Sequence, residues 1–371
     1  MTTLEEFAEG FLEEPGYLDF GRVGPISATV LAETQGQSDI LSRARFGSLD
    51  AFGREDERFR DAVASVIGFP AEQVVFQPNT SMGLMHAMFG LTGGVLLSPG
   101  EFPSVTYAAA RAAEALQVVT PIWLSTDHGR VTPGQVRDQI TSSTAAVAVS
   151  LVDSRTGYLT DIDGIRQVIG DRLLIVDAIQ GLGIVDVPYE VADIVVSGGH
   201  KWTRAGWGTG FLAMSERALD NVTPVISGST GAEVSEPFDE IVQPKHDVDA
   251  FTVSNPDRIA EARFAAALEE VARVGVGRIQ SDVAARVDAV IELADEFAIE
   301  VVSSRDGSER AGMVVIAPPA GRLTGLTASL FNHGVTATTR GGVVRLCVHV
   351  STGDETLRML RAAFTSFVGG V

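Results

Sequence analysis

The 371-residue sequence has a single cysteine, Cys347. No disulfide can form within the chain, and a reducing compartment is expected. Positive charge is also short: 28 Lys and Arg stand against 48 Asp and Glu, a formal net charge of −20. Nucleic acid and anionic membrane are therefore not expected as partners, because both are gripped through basic patches. No apolar run reaches the roughly 20 residues of a membrane-spanning helix. Residues 145–152 form the kind of run that reads as a buried strand. The opening MTTLEEFAEGFLEEPG is acidic where a signal peptide is basic and then apolar. Six scattered histidines and one cysteine offer no metal-ligand cluster. A serine hydrolase would need a G-x-S-x-G elbow, which is missing. The expectation is a cytoplasmic globular protein, 45% apolar and long enough for two domains.

What is present is an alternation of strand-like and helix-like segments. Helical patterns at 54–68, 80–90 and 104–115 are interleaved with short apolar runs at 73–76, 94–97, 118–123, 145–152, 173–176 and 194–196. Such spacing predicts an α/β fold with a mostly parallel sheet covered on both faces. Residues 227–249 read as loop. After Pro256 a helical pattern runs to about residue 279, with alanines and charged residues assigned to its outer face. The remainder alternates as a smaller α+β unit that includes a strand at 343–350. A boundary near Ser254 divides the chain into a large domain, 18–253, and a small domain, 1–17 plus 254–371.

Ligands of open parallel sheets bind where strands end. The residues expected there are Asn79-Thr80-Ser81, Phe102, Asp153-Ser154, Asp177, Gln180 and Lys201. The three polar residues at 79–81 exceed what one helix cap needs, and a helix N-terminus suits a phosphate. Asp177 closes an apolar strand, where a carboxylate must be paired, hydrogen-bonded or neutralised. Lys201 ends the next strand, within SGGHKWTRAGWGTGFL. Apolar surroundings lower an amine's pKa and make it nucleophilic. The flanking Gly198, Gly199, Gly206, Gly208 and Gly210 are read as room for a bulky planar ligand. A dinucleotide loop at Gly206-x-Gly208-x-Gly210 fails on context, because the apolar residues after it read as strand rather than helix. A lysine for a Schiff base, an acid for a pyridine nitrogen and a phosphate cradle together meet the needs of pyridoxal 5′-phosphate.

The segments VVFQPNTSMGL, EFPSVTYAAA, VSLVDSRTGYLTDI, LLIVDAIQGLG, DIVVSGGHKW and VVRLCVHV occur in the order found in one family. By these the chain resembles the fold-type I pyridoxal-phosphate enzymes of the class V aminotransferase and cysteine desulfurase group. The resemblance implies that Lys201 is the Schiff-base lysine and that Asp177 keeps the pyridine nitrogen protonated. It implies that Gln180 bonds the ring's phenolic oxygen, that Thr80 and Ser81 bind phosphate, and that His200 contacts the phosphate or its solvent network. Phe102 falls where relatives stack a ring on the cofactor, and Arg345 where they bind the substrate α-carboxylate. Arg22, in the early loop where relatives carry small residues facing the substrate, is expected either to meet a second acidic group on the substrate or to face water. The family also implies a homodimer with a shared site and an amino-acid substrate.

Three positions depart from the family's pattern. Gly198 stands where relatives carry a phosphate-binding Ser or Thr, and Ser197 is the candidate substitute. FTVSNP, at 251–256, replaces the Gly-Thr pair that crosses the dimer, leaving Ser254 or Asn255 for that task. Cys347 lies inside an apolar strand rather than on a mobile loop, which argues against persulfide-forming desulfuration. An aminotransferase is the leading expectation, with a C–S β-lyase or an epimerase as alternatives. A non-catalytic sensor is the alternative from another class.

Overall fold

The computed structural model describes residues 2–234 and 239–370. It opens with α1 (Leu4–Glu9), α2 (Ala28–Arg43), α3 (Ser48–Ala51) and α4 (Gly53–Ile67). An alternating stretch follows: β1 (Val74–Phe76), α5 (Thr80–Gly90), β2 (Gly93–Leu97), α6 (Pro103–Leu116), β3 (Val119–Trp123), α7 (Pro133–Gln139), β4 (Thr144–Ser150), α8 (Ile162–Ile169) and β5 (Leu173–Asp177). The same part ends in β6 (Ile194–Gly198), β7 (Gly210–Met214) and α9 (Glu216–Asn221). The last third comprises α10 (Arg258–Val274), α11 (Val276–Glu296), β8 (Glu300–Val301), β9 (Met313–Ala317), α12 (Leu323–Asn332), β10 (Thr338–Arg340), β11 (Val343–Cys347) and α13 (Asp354–Gly369).

Seven strands form one sheet in the order β1-β7-β6-β5-β4-β2-β3. Within it only β7 runs against its neighbours, pairing antiparallel with both β1 and β6. The interior parallel strands β4, β5 and β6 are buried on both faces, so they read as continuous apolar runs rather than as alternation. Pro121 sits in β3, at the sheet's edge, where its missing N–H costs no ladder bond on the outer side. A second, antiparallel sheet has the order β10-β11-β9-β8. The chain between α1 and α2 joins it by bridges Tyr17↔Thr336 and Asp19↔Cys347, so residues 16–24 pass from this small sheet toward the carboxyl edge of the large one.

Local chemistry explains the elements that carry the site. In α4, Phe59, Ala62, Val63 and Ile67 recur at helical spacing and are all buried, each large side chain worth roughly 1.5–3 kcal/mol. Gly68, at φ +75°, ends it. Helix α5 starts at Asn79, whose side chain accepts from the Met82 N–H at 2.9 Å.

Several expectations need correction. The helical pattern after Pro256 is two helices, broken at Gly275 with φ +93°. Its alanines are not on the outer face: Ala260, Ala262, Ala265, Ala266 and Ala267 are buried, their small size letting α10 pack closely on both α4 and α2. Helix α2 was not expected, since Val30 is its only buried residue and its pattern has no apolar stripe. The strand expected at 343–350 ends at Cys347, where the backbone leaves the sheet.

Candidate active site

The carboxyl ends of β1, β2, β4, β5 and β6, together with one face of the small sheet, enclose a cavity of about 660 Å³. Each lining side chain is placed by a strand end or the loop behind it. Asn79, Thr80 and Ser81 follow β1; Phe102 and Ser104 open α6 after β2; Ser154 follows β4; Asp177 ends β5, with Gln180 beyond it; His200 and Lys201 follow β6. Arg345 comes from β11, and Gly21 and Arg22 from the early loop.

Asp177 is fully buried, and burial raises its carboxyl pKa to about 6 against the lowering effect of the Ile179 N–H and of Lys201. Oδ1 accepts from that N–H at 3.1 Å, while Oδ2 has no hydrogen-bond partner. A buried carboxylate oxygen left unpaired is costly, and one aimed into a cavity calls for a donor from a ligand. Lys201 is also buried. Desolvation pushes its amine down to about 8, opposed by Asp177 and assisted by Arg345. Its Nζ stands 5.5 Å from the centre of the Phe102 ring. The lysine's backbone is held by the early loop: Gly24 N–H donates to the His200 carbonyl at 2.8 Å, and the approach is so close that only glycine fits at position 24.

Another part of the lining has the character of an anion cradle. Thr80 Oγ1 is buried without a partner. Ser81 and Ser104, from the first turns of α5 and α6, share a hydrogen bond of 2.7 Å, so two helix N-termini converge. His200 is brought down to about 4 by burial and by Lys201, and is therefore neutral near pH 7. The orphaned acceptor at Asp177, the orphaned hydroxyl at Thr80 and the Lys201 amine, lowered to about 8, fit the ring nitrogen, phosphate and aldehyde of pyridoxal phosphate.

Gln180 is engaged on both sides, donating to the Gly21 carbonyl and accepting from Trp202 Nε1, each at 2.9 Å. Arg345 donates to the Ser154 carbonyl at 2.7 Å and lies 3.7 Å from Asp19, which aims its guanidinium across the cavity. Other expected residues fall outside this lining. Asp153 organises the turn beyond β4, accepting from the Arg155 and Thr156 N–H groups at 2.8 Å. The Ser197 side chain is buried, donates to the Gly198 carbonyl at 3.3 Å and does not line the cavity. Ser254 and Asn255 are exposed beside Thr230 and away from this chain's cavity. Of the glycines around Lys201, Gly198 faces Thr80 and His200. Gly199 packs against Phe264 and Ala205, and Gly210 lies between backbone strands; those two serve packing rather than ligand space.

Sequence reasoning missed Ser104, Arg155 and Arg340, which also line the cavity. Ser104 sits in the EFPS motif, and Arg155 directly follows Ser154. Arg340 was within reach only by recognising Gly341-Gly342 as a hairpin turn between two strands.

The chain matches the class-V aminotransferase family over residues 45–366. It is 26% identical over 235 residues to a probable cysteine desulfurase of Methanothermobacter thermautotrophicus, covering 61% of this chain and 58% of that protein. It is 26% identical over 275 residues to a kynureninase of Deinococcus radiodurans, covering 70% and 65% of the two. The matches thus span about three fifths of these relatives' lengths. The structure superposes on the apo form of a cysteine desulfurase from Thermococcus onnurineus with a TM-score of 0.88, covering 100% of this chain and 99% of that one. Sequence identity there is 21%, so this likeness speaks for the fold. Among the described residues no helix is long and apolar enough to cross a membrane. With the family match spanning most of its length and a cavity suited to the cofactor, the chain belongs to the class-V aminotransferase family, a pyridoxal-phosphate-dependent family of fold type I.

Proposed function

We propose that this enzyme acts at the α-carbon of an amino acid, with Lys201 as the attachment and proton-transfer residue and transamination as the outcome. The observation that carries the reading is a buried Lys201, its amine lowered to about 8, lining the same cavity as a buried Asp177 whose Oδ2 lacks a partner. Pyridoxal phosphate, when bound, supplies the electron sink for the bond broken at the substrate α-carbon. The chain's own residues do the rest. Asp177 Oδ2 would accept a hydrogen bond from the protonated ring nitrogen and so hold the proton on it. Thr80 Oγ1, Ser81 and the α5 N-terminus would hold the phosphate, with His200 as a neutral neighbour. Phe102 would cover one side of the ring, and Gln180, whose Nε2 donates to the Gly21 carbonyl, would serve its phenolic oxygen. Arg345 orients the substrate through its α-carboxylate, a bidentate task suited to guanidinium. Lys201 Nζ, near pH 8 half unprotonated, takes the α-proton and returns it to another atom. The working unit we propose is a cytoplasmic homodimer, in which Ser254 or Asn255 is offered to the neighbour's phosphate.

A second reading is β-elimination at a C–S bond. It is favoured by the likeness to cysteine desulfurases combined with the position of Cys347, which is buried behind Gly21 with its thiol pKa raised by burial. A thiol there is not placed to capture sulfur, so a sulfur-bearing substrate would lose its side chain without persulfide formation. Incubating the loaded enzyme with amino acids and S-substituted cysteines separates the readings. Stoichiometric keto acid with retained pyridoxamine phosphate supports transamination. Catalytic pyruvate and ammonia would replace it with elimination.

A further inference from the structure

The lining of the cavity is positive in a protein that is otherwise strongly negative. Arg22, Arg155, Arg340, Arg345 and Lys201 face it, against the single carboxylate of Asp177; the chain as a whole carries −20. Two of these cations are already answered: Arg155 pairs with Asp153 at 3.1 Å, and Arg345 lies 3.7 Å from Asp19. Among the described residues, Arg22 and Arg340 have no carboxylate partner.

The small sheet explains where Arg340 points. Thr338 pairs with Arg345 and Arg340 with Val343 in the β10–β11 hairpin, while Val315 on β9 pairs with Arg345 from the other side. Side chains two residues apart share a sheet face, so Arg345, Val343, Thr338, Arg340 and Val315 form one surface, and all line the cavity. Arg345 lies at its inner end, with 14% of its side chain exposed, while Arg340 and Arg22 are exposed at the mouth. Arg345 and Arg340 stand diagonally on the two paired strands, two rungs apart, a separation of roughly 7–8 Å. That is comparable with the separation of the two carboxylates in a short acidic amino acid. Val343 and Val315 supply an apolar floor for the methylenes between them. The phosphate cradle at Thr80, Ser81 and Ser104 belongs to the large sheet's edge and leaves these arginines unused.

We propose that the substrate of this enzyme is an amino acid with a second anionic group at the end of its side chain, gripped by Arg340 and Arg22 while Arg345 takes the α-carboxylate. The inference rests on the amino-acid reading above and narrows it to one substrate class. The net-positive cavity raises the local concentration of such a dianion and offers it charge-assisted hydrogen bonds that an amide cannot match.

The test uses acid and amide isosteres on enzyme first shown by absorbance to be fully loaded with cofactor. Calorimetry compares glutarate with its monoamide; turnover compares L-glutamate with L-glutamine, and S-carboxymethyl-L-cysteine with its amide. Each acid is expected to exceed its amide at least tenfold in affinity or in kcat/KM, and Arg340→Gln is expected to cut that advantage at least tenfold. Acid and amide handled alike by loaded enzyme, including no measurable binding of either, overturns the proposal. So does an advantage that survives both Arg340→Gln and Arg22→Gln. A protein that fails to take up pyridoxal phosphate at all is recognised at the loading step and speaks against the cofactor chemistry rather than the substrate class.

Discussion

Gly198 faces the Thr80 hydroxyl: a side-chain carbon built at that glycine would stand 3.0 Å from Thr80 Oγ1 and 3.2 Å from His200 Nδ1. The site therefore accommodates the loss of the family's Ser or Thr by filling the space with Thr80 and His200 themselves. Gly198→Val forces both aside, together with Ile179, whose Cδ1 would lie 3.2 Å away. The expected outcome is a cofactor dissociation constant raised at least tenfold, about 1.4 kcal/mol, with an unchanged far-ultraviolet circular dichroism spectrum. Titration of the apo variant with pyridoxal phosphate checks it; unaltered affinity would remove Thr80 and His200 from the cradle.

Asp177 makes the apo protein's stability depend on pH. Its folded pKa, about 6, lies above the 3.8 of the free side chain because burial penalises the charged form. The folded state thus holds its proton more tightly, and this group's contribution falls as pH rises from about 4 to 6. Asp177→Asn removes the penalty. Relative to wild type, the apo variant should gain on the order of 3 kcal/mol between pH 4 and pH 7, while its cofactor spectrum and activity are lost. Paired thermal melts of the two apo proteins across that range test the sign.

Arg204 fastens the lysine's loop to the rest of the protein. It is fully buried, pairs with Glu13, donates to Ser351 at 3.0 Å and lies 3.6 Å over the Phe11 ring. Removing one partner of a buried pair strands the other, at a cost of about 3–5 kcal/mol. Arg204→Met is expected to lower stability by that order and to loosen the Lys201 loop, seen as faster hydrogen exchange at 200–205. A variant as stable as wild type would make the clamp incidental.

The large sheet was legible because buried parallel strands announce themselves as short β-branched runs, and residues 80–90 carry both a cap at Asn79 and an apolar helix behind it. The residues at strand ends were legible for the same reason: once the strands are placed, a parallel topology assigns their carboxyl ends to the ligand-binding edge. What was hidden depended on packing. Helix α2 buries little of itself, so no periodicity marked it, and the alanines of α10 looked suited to the surface because their smallness serves close helix contact. Ser197 and Gly198 could not be ranked from sequence, since adjacent strand residues point to opposite faces and a shift of one residue exchanges them. Arg340 entered the cavity through a two-glycine turn, Gly341 at φ +61° and Gly342 at +91°, that converts a loop into a hairpin.

The central claim is that Lys201 carries the cofactor, and the composition makes it unusually direct to test, because Lys245 is the only other lysine in the chain. Lys245 is half-buried and paired with Asp249 at 3.0 Å, away from the cavity. Borohydride reduction of the loaded enzyme followed by peptide mapping should place a single pyridoxyl group on Lys201, and none should be found in Lys201→Ala. A label on Lys245, or no stable label on loaded protein, would contradict the account.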